Sequence, residues 1–414
     1  MKKEQIIFHI DVNSAFLSWE AVKQLKNSPD AVDIRTIPSV IGGDEQQRHG
    51  IVLAKSIPAG KYGIKTAQPL AKARQICPDL LIFPPDFSLY VKSSDKFMNY
   101  LKNYAPIVEQ YSIDEAFCDM TGTGTLYGDP VVFANKLKNE IFDNFGFTVN
   151  IGLSTNRFLA KMASDFDKPN KVHTLFPNEI STKMWPLPIR NLLFVGKSTA
   201  AKMNSLGLHT IGDIANCDKQ LLCWHLKKQG EDIWNHANGL NGDELFKKPV
   251  VSKSYGNSIT LGSDVTDIQT AKIVILSLCE TVAARIRAEK SYINVVSVNI
   301  TDSDFNQQSK QCTLNEPTNI TEIIFDAATD LFKSMWDNRP LRLIGVSASH
   351  PTKIISNQIS MFDDNKNAKL SKLNTAIDKI RQKYGEDSIK RARFIDSDYN
   401  HMTGGLNKEK RSDC

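Results

Sequence analysis

The chain has 414 residues, of which 41% are hydrophobic and 23% charged; these are the proportions of a soluble globular protein, and the length exceeds one ordinary core. The net charge of +5 comes from residues 365–414, which hold 12 Lys and Arg against 7 Asp and Glu, while the remaining residues balance at 39 of each sign. Overall charge therefore does not itself indicate a nucleic-acid groove.

The cysteines and the N-terminal residues indicate the cellular compartment in which the protein is expected. The seven cysteines include no Cys-x-x-Cys pair, so structural zinc is not expected and a reducing cytoplasm is favoured. The apolar run near the N-terminus stops at Asp11, too early for a signal peptide or a membrane span. We expect a cytoplasmic protein with no membrane partner.

The first predicted element is a short buried strand, Ile6 to Asn13, that delivers Asp11 at its edge. A helix is predicted from Ser14 to Leu25. Asp11 has two interpretations at this stage. It is either the cap of that helix, since Asp is a good helix starter, or one carboxylate of a site completed elsewhere in the chain.

The second acidic element is the pair Asp114 and Glu115, inside a strand-like run from Ile107 to Met120. Neighbouring residues of a strand point to opposite faces, so both can reach one site only at a tight hairpin or bulge. Crowded carboxylates repel unless a cation neutralises them. Taken alone, the pair would be a solvated hairpin tip. Together with Asp11, it predicts a site for two divalent cations about 3.5–4 Å apart.

The elements around the hairpin predict a split βαβ domain. A helix at 87–104 precedes the hairpin; a loop containing Gly122, Gly124 and Gly128 and then an amphipathic helix at 131–145 follow it. Next come a strand at 148–154, a helix at 155–166 capped by Ser154 or Thr155, and a strand at 172–176. Between the first helix and this region, 37–53 predicts two short strands joined through Gly42 and Gly43.

The C-terminal half alternates between helices and strands. Residues 185–245 are mostly helical, with glycines where helices meet, as in a helix-hairpin-helix that binds phosphate through backbone N–H groups; a plain helical hairpin is the alternative. A basic linker at 246–256 includes Lys253. Helices at 270–288 and 320–336, with strands at 292–302 and 342–347, then predict a strand-helix-strand duplication.

After residue 351 the chain is polar until a short apolar peptide, Gln358-Ile359-Ser360-Met361-Phe362. Apolar anchors in such a tail suggest a docking peptide. A basic helix at 370–384 follows, for which DNA or partner contact is the interpretation.

Five strings resemble the Y-family of damage-bypass DNA polymerases, and within it the DinB- and UmuC-like bacterial branch. They stand in the family's order and spacing along nearly the whole chain: DVNSAF at 11–16, SIDEAF at 112–117, GLSTNRFLAKMASDFDKPN at 152–170, VGKSTAAKMNSLGLHTIGDI at 195–214 and QISMF at 358–362. One such string would be weak evidence, whereas five in order are strong.

The resemblance implies an α+β multidomain fold. Its parts are a ferredoxin-like palm at 1–14 and 84–176, small fingers at 15–83, a helix-hairpin-helix thumb at 177–244, a linker at 245–254, a βαβ-duplicated little finger at 255–350 and a tail at 351–414 with a clamp-binding peptide. It also implies a monomeric enzyme whose partners are primer-template DNA, deoxynucleoside triphosphates and, through residues 358–362, the bacterial sliding clamp.

The resemblance also assigns roles to residues. Asp11, Asp114 and Glu115, with the Val12 carbonyl, would bind two Mg²⁺ ions. Phe16 would be a steric gate under the incoming sugar, although an aromatic at helical spacing is core filler by default. The remaining candidates are cations: Lys168, Lys55 and Lys61 for the triphosphate, and Lys253, Arg285, Arg287, Lys290 and Arg342 for DNA.

Ile57 and Gly60 depart from the family, which usually has Tyr and Arg at these positions to contact the triphosphate. Lys55 and Lys61 are nearby, but a lysine offers a point charge rather than a bidentate fork. This departure motivates one rival, a catalytically weakened protein that binds the clamp and DNA. The other rival is a nucleotide cyclase on a similar palm, which leaves the thumb and linker unexplained.

Overall fold

The structure is a computed structural model that describes residues 5–43, 50–240, 252–353, 366–395, 397, 399 and 401. By its internal contacts the chain divides into two compact units. The first comprises Met1–Gly42, Val52–Gln68 and Lys72–Lys248, and the second comprises Gly43–Ile51, Pro69–Ala71 and Pro249–Cys414. In the described parts of the chain, every helix is too short or too polar to cross a membrane.

The N-terminal elements alternate between strands and helices. In order they are β1 (Ile7–Val12), α1 (Ala15–Asn27), β2 (Ser39–Gly42), β3 (Val52–Lys55), α2 (Ile57–Lys61), α3 (Leu70–Ile76), β4 (Leu81–Phe83), α4 (Phe87–Leu101), β5 (Ile107–Gln110), β6 (Glu115–Asp119), α5 (Gly124–Tyr127), α6 (Pro130–Phe145), β7 (Val149–Ser154), α7 (Arg157–Ser164) and β8 (Val172–Thr174).

The palm is a five-stranded sheet in the order β5-β6-β1-β7-β8. Its first four strands have the order of a ferredoxin-like split βαβ unit, with β8 added in parallel beyond β7. Every residue of β1 and β7 is buried, as expected for central strands covered on both faces. The predicted palm is confirmed. A separate three-stranded sheet, β3-β2-β4, forms the fingers.

Two local predictions in the palm are wrong. The helix after β7 begins at Arg157 rather than Thr155, and its cap is Asn156, whose side chain accepts a hydrogen bond from the Leu159 amide. Ser154 instead ends the strand, and its hydroxyl donates to the Leu175 carbonyl. The loop predicted around Gly124 contains the one-turn helix α5.

The thumb consists of short helices: α8 (Lys197–Ser205), α9 (Ile211–Asn216), α10 (Lys219–Leu226) and α11 (Lys228–Ala237). Gly196 caps α8, and Gly207, between α8 and α9, has a φ of 81° that suits glycine. Thr210 and Asp213 form a capping box at the start of α9. The glycines therefore stand at helix junctions, as predicted.

The second unit contains the duplicated strand-helix-strand pattern. It is built from β9 (Ser254–Val265), α12 (Ile268–Ala288), β10 (Tyr292–Asp302), β11 (Gln307–Thr318), α13 (Thr321–Met335), β12 (Leu341–Thr352) and α14 (Lys366–Tyr384). The sheet order is β11-β10-β12-β9, antiparallel throughout. Both helices contribute apolar side chains to one core with this sheet, as a little finger requires.

Helix α14 corrects the predicted boundary of this domain. The sequence treats 351–414 as a tail, but Asp378 of α14 forms an ion pair with Arg287 of α12, and Arg381 pairs with the buried Glu280 of the same helix. Asn374 accepts a hydrogen bond from the Thr321 hydroxyl at the start of α13. These contacts make α14 part of the folded second unit.

Candidate active site

A pair of strands and a hairpin bring three carboxylates to one end of the palm sheet. Asp11 on β1 lies opposite Glu115 on β6 in the antiparallel register. Asp114 is in the turn that joins β5 to β6, and its carbonyl oxygen accepts a hydrogen bond of 3.1 Å from the Val12 amide. The turn thus solves the problem posed by adjacent carboxylates, because Asp114 and Glu115 do not lie in the same stretch of strand.

Two lysine side chains contact the carboxylates of this site. Lys161 of α7 is buried, and its Nζ lies 3.4 Å from Asp11 Oδ2, hydrogen-bonds Glu115 Oε1 and lies 3.5 Å from Asp165 Oδ2. Lys168 Nζ lies 2.9 Å from Asp11 Oδ2 and 2.8 Å from Asp165 Oδ1. Both ammonium groups therefore share Asp11 and Asp165 as acceptors.

The ionisation of the carboxylates reflects burial and these cations. Burial alone would raise the pKa of Asp11, but Lys168, a hydrogen bond with Glu115 and Lys161 together hold it below its usual value. Burial raises the pKa of Glu115 to about 7, helped by its hydrogen bond with Asp11. Burial also raises the pKa of Asp114, although the Ser112 hydroxyl opposes the shift. The three groups therefore form one electrostatically coupled cluster.

His9 lies beneath the cluster and is fully buried. Its Nδ1 is 2.7 Å from the Ser164 hydroxyl, while its Nε2 is 3.9 Å from Glu115 Oε2 and has no hydrogen-bond partner. Burial, followed by the charge of Lys161, lowers the pKa of His9 well below its ordinary value. The imidazole is therefore neutral at physiological pH.

The donor set suits a hard divalent cation, although the site is not arranged as a closed metal centre. Within the described ranges, no three His, Cys, Asp or Glu side chains form a ready metal-binding group, and Lys161 contacts both Asp11 and Glu115. Carboxylate and carbonyl oxygens are nevertheless the ligands that Mg²⁺ prefers. The unsatisfied His9 Nε2 is available to orient Glu115, as outer groups commonly orient metal ligands.

Phe16 projects from α1 and is half-buried. Its ring stacks on the fully buried Tyr90 of α4, with centroids 4.4 Å apart and planes inclined by 7°. Phe87 meets the same ring edge-on at 6.3 Å. Phe16 therefore packs against the core without being enclosed by it, which is compatible with both interpretations offered by the sequence.

The Lys55 side chain lies against Gly60, one of the two positions at which the chain departs from the family pattern. Gly60 lies in helix α2, and a Cβ atom added to it would lie 2.7 Å from Lys55 Nζ. The backbone of Lys55 is tied to the start of α1, since the Ser14 hydroxyl donates to its carbonyl at 3.0 Å. Lys61 is exposed, and the Ile57 side chain is 56% exposed. The Lys55 ammonium group therefore lies beside the backbone of Gly60.

The predicted DNA contacts in the second unit separate into two groups. Lys253 is exposed, Arg285 donates to the Gly256 carbonyl, and the Arg342 guanidinium lies 4.8 Å over the Phe305 ring. Arg287 differs from these, because it binds Asp378 with two nitrogens and also donates to the Asn319 carbonyl. That internal network corrects the prediction for Arg287, whose guanidinium is committed to holding α14.

Sequence reasoning missed Lys161 and His9. Lys161 is the only charged residue between Arg157 and Asp165 in the string RFLAKMASD, and all residues of α7 from Phe158 to Ser164 are buried. A lysine inside an otherwise apolar helix is rarely buried unless it is paired, which was the available signal. The clamp-binding candidates, residues 358–362, lie outside the described residues.

The palm topology, its carboxylate cluster, the helical thumb and the duplicated little finger define a polymerase-type fold. Three models of one family match the chain: the impB/mucB/samB family at residues 10–165, its HHH motif at 177–208 and its C-terminal domain at 252–361. The chain belongs to this family, the Y-family that the five strings predict.

Individual relatives agree with that assignment. The chain is 45% identical to DNA polymerase IV of Clostridium acetobutylicum over 95% of its own length and 99% of that protein. It is 38% identical to DNA polymerase IV of Alkaliphilus oremlandii, over 94% and 99% of the two chains. A solved Y-family DNA polymerase chimera superposes with a TM-score of 0.68 at 24% identity, covering 83% of this chain and 98% of that one, which shows the shared fold.

Proposed function

We propose that this protein is a damage-bypass DNA polymerase that extends a primer 3′ end with low fidelity by two-metal nucleotidyl transfer. DNA-directed DNA polymerase activity itself follows from membership of the family. The observation that supports the proposed chemistry is the convergence of Asp11, Asp114 and Glu115 from β1 and the β5–β6 hairpin.

The residues of the site have distinct roles in this proposal. Asp11, Asp114, Glu115 and the Val12 carbonyl would hold two Mg²⁺ ions, which would activate the 3′-hydroxyl for attack on the α-phosphate and stabilise the departing pyrophosphate. Lys168 would bind the outer phosphates, where a fixed cation stabilises developing negative charge. Lys55 and Lys61 would supplement it.

Selection of the substrate rests on exclusion. Phe16, held from below by Tyr90, would clash with a ribose 2′-hydroxyl and so reject ribonucleotides. Gly42 and Gly43 would leave space over the nascent base pair, so that discrimination among bases depends on pairing itself. Weak geometric checking predicts low fidelity and tolerance of damaged templates.

The proposed partners are primer-template DNA, deoxynucleoside triphosphates and the bacterial sliding clamp, bound by a monomer in the cytoplasm. Lys253, Arg285, Lys290 and Arg342 remain the candidates for phosphate contacts in the second unit. Residues 358–362 remain the candidate clamp peptide, which would act by raising the local concentration of the enzyme at the primer end rather than by changing its chemistry.

The weakened-scaffold alternative rests on Ile57 and Gly60. Against it stand the clustered carboxylates and the cation of Lys55 over Gly60. A nucleotide cyclase would leave the thumb and the little finger without a role. Primer extension with Mg²⁺ separates the three functions, because only a polymerase lengthens the primer in a template-directed manner.

The deciding variant is Asp114→Asn. It should abolish primer extension while DNA binding stays nearly unchanged, because the phosphate contacts lie elsewhere. Asp143→Asn, which removes an exposed carboxylate of α6, is the matched control and should extend normally. Extension by Asp114→Asn near the wild-type rate would remove the two-metal assignment.

A further inference from the structure

Lys161 is placed by an unusually close contact between a helix and a strand. A Cβ atom at Gly152 of β7 would lie 2.1 Å from the Ala160 carbonyl oxygen and 2.4 Å from the Ser164 amide. Helix α7 therefore lies directly on the sheet, and no side chain separates the two backbones at this point. Lys161, one residue after Ala160, is consequently within reach of Asp11 on the neighbouring strand β1.

The ammonium of Lys161 has three N–H groups and three carboxylate neighbours. These are Asp11, Glu115 and Asp165, and the contacts with Asp11 and Glu115 are to the side chains that the proposed function assigns to the metal ions. The Lys161 side chain is only 9% exposed and that of Asp11 10%. Charges so poorly solvated need a partner at close range.

The balance of charge makes Lys161 more than an incidental partner. Four carboxylates gather here (Asp11, Asp114, Glu115 and Asp165), and the two lysines that contact all of them but Asp114 supply two positive charges. Asp165 differs from the other acceptors, because its side chain is 41% exposed. It lies i+4 from Lys161 and three residues before Lys168, so it can keep both ammonium groups at the edge of the cluster.

We propose that Lys161 is a positioning residue that acts as the resident counter-ion of the metal site, and that Asp165 competes with Asp11 and Glu115 for its ammonium group. This inference rests on the proposed function, which makes Asp11 and Glu115 metal ligands. Lys161 keeps the two carboxylates paired when no divalent cation is bound. It also weakens cation binding, because an ammonium and a divalent cation compete for the same oxygen atoms.

Binding of Mn²⁺ to the full chain, without DNA or nucleotide, measures this competition directly. At pH 8 the free ion can be counted by electron paramagnetic resonance. Lys161→Met should lower the dissociation constant on the order of tenfold, the size expected for removing one charge-assisted hydrogen bond. Asp165→Asn should raise it, since Lys161 is then left with Asp11 and Glu115 as its partners and Lys168 with Asp11. Lys136→Met, which removes an exposed lysine on α6, should leave it unchanged.

Thermal melting supplies a second readout. In the presence of a chelator, Lys161→Met should melt below the wild type, and Mn²⁺ should raise its melting temperature more than that of the wild type. A lysine that only packed α7 against the sheet would lower the melting temperature without tightening Mn²⁺ binding. An unchanged or raised dissociation constant in Lys161→Met therefore overturns the proposal. If that variant does not fold, the Mn²⁺ dissociation constant of Asp165→Asn decides the question. The proposal expects it to be higher than that of the wild type, so an unchanged or lower value overturns the proposal.

The variant Asp11→Asn separates this inference from the proposed function. If the wild type binds no Mn²⁺, or binds it equally well after Asp11→Asn, the metal assignment fails and the inference fails with it. If Asp11→Asn weakens binding while Lys161→Met does not tighten it, the metal assignment stands and only the role of Lys161 is refuted.

Discussion

Phe16 is the residue whose packing bears most directly on substrate choice. Its ring is fixed from one side by Tyr90, at 4.4 Å and nearly parallel, so it cannot easily move away from a bulkier sugar. Phe16→Ala should therefore raise the ratio of ribonucleotide to deoxynucleotide incorporation by roughly 10- to 200-fold or more, since a single methylene in a hydrophobic pocket already gives that much discrimination.

Single-nucleotide insertion kinetics with matched ribo- and deoxyribonucleotides measure that ratio, which is independent of the fraction of folded enzyme. Phe87→Ala, which removes a neighbouring aromatic contact of Phe16, is the control and should change the ratio less. An unchanged ratio in Phe16→Ala would return this ring to the role of core filler.

Glu115 makes the stability of the metal-free protein depend on pH. Its pKa in the folded state is about 7, against an ordinary 4.5, chiefly because it is buried. A raised carboxyl pKa means that the folded state holds the proton more tightly than the unfolded state does. The resulting stability is fully present below about pH 4.5 and is lost as the pH rises through about 7.

Melting curves of the wild type and of Glu115→Gln, recorded with a chelator between about pH 5 and 8, test this dependence. The melting temperature of the wild type should fall relative to that of the variant as the pH rises, because the amide does not ionise. Added Mg²⁺ should remove the decline, since it favours the ionised carboxylate. A difference in melting temperature between the wild type and Glu115→Gln that stays constant across this pH range would contradict the raised pKa of Glu115.

At the scale of elements, the packing of α7 on β7 decides the geometry of the site. Gly152→Ala would drive a Cβ into backbone atoms of α7, which cannot move aside as a flexible side chain could. We expect a loss of at least about 3 kcal/mol in the free energy of unfolding, the upper end for overpacked cores. Chemical denaturation measures it.

Gly124→Ala is the matched control for that substitution. Gly124 begins α5, has no heavy atom within 4 Å of an added Cβ and lacks a positive φ. Alanine there should change the free energy of unfolding by no more than about 1 kcal/mol, and in the stabilising direction. Equal stability of the two variants would mean that α7 can shift on the sheet at little cost.

At the scale of the whole molecule, the chain folds as two units with separate cores. The family models end at residue 361, yet α14 lies beyond that point and completes the second unit. Its attachment depends on Glu280, whose side chain is 4% exposed and pairs with both Arg381 and Arg391. Ion pairs this well buried are costly to break from one side.

Glu280→Gln should therefore cost about 3–5 kcal/mol in the second unit, because two guanidinium groups lose the buried negative charge that pairs with them and one of its two acceptor oxygens. Hydrogen exchange followed by mass spectrometry should show faster exchange in α14 and lower protection of α12. Asp330→Asn, which breaks an exposed pair with Lys333, is the control and should have little effect. Unaltered exchange in α14 would show that apolar packing alone holds it.

The sequence by itself determined most of the elements, and it singled out the three carboxylates that the fold brings together. The strand from Tyr292 to Asp302 has the predicted bounds, and the turn between β5 and β6 leaves Asp114 just outside the strand that Glu115 begins, as the crowded acidic pair requires. Such features depend on local periodicity, turn chemistry and short motifs. All of these are written within a few consecutive residues.

Only the tertiary structure decided which charged side chains form ion pairs within the protein. Lys161 meets Asp11 across 150 positions of sequence, and Arg287 meets Asp378 across 91. In the sequence, Lys161 is one lysine in an apolar helix, and Arg287 is not distinguishable from Arg285 as a phosphate contact. A charged side chain takes its role from the partners that folding brings within a few ångströms, and those partners come from distant parts of the chain.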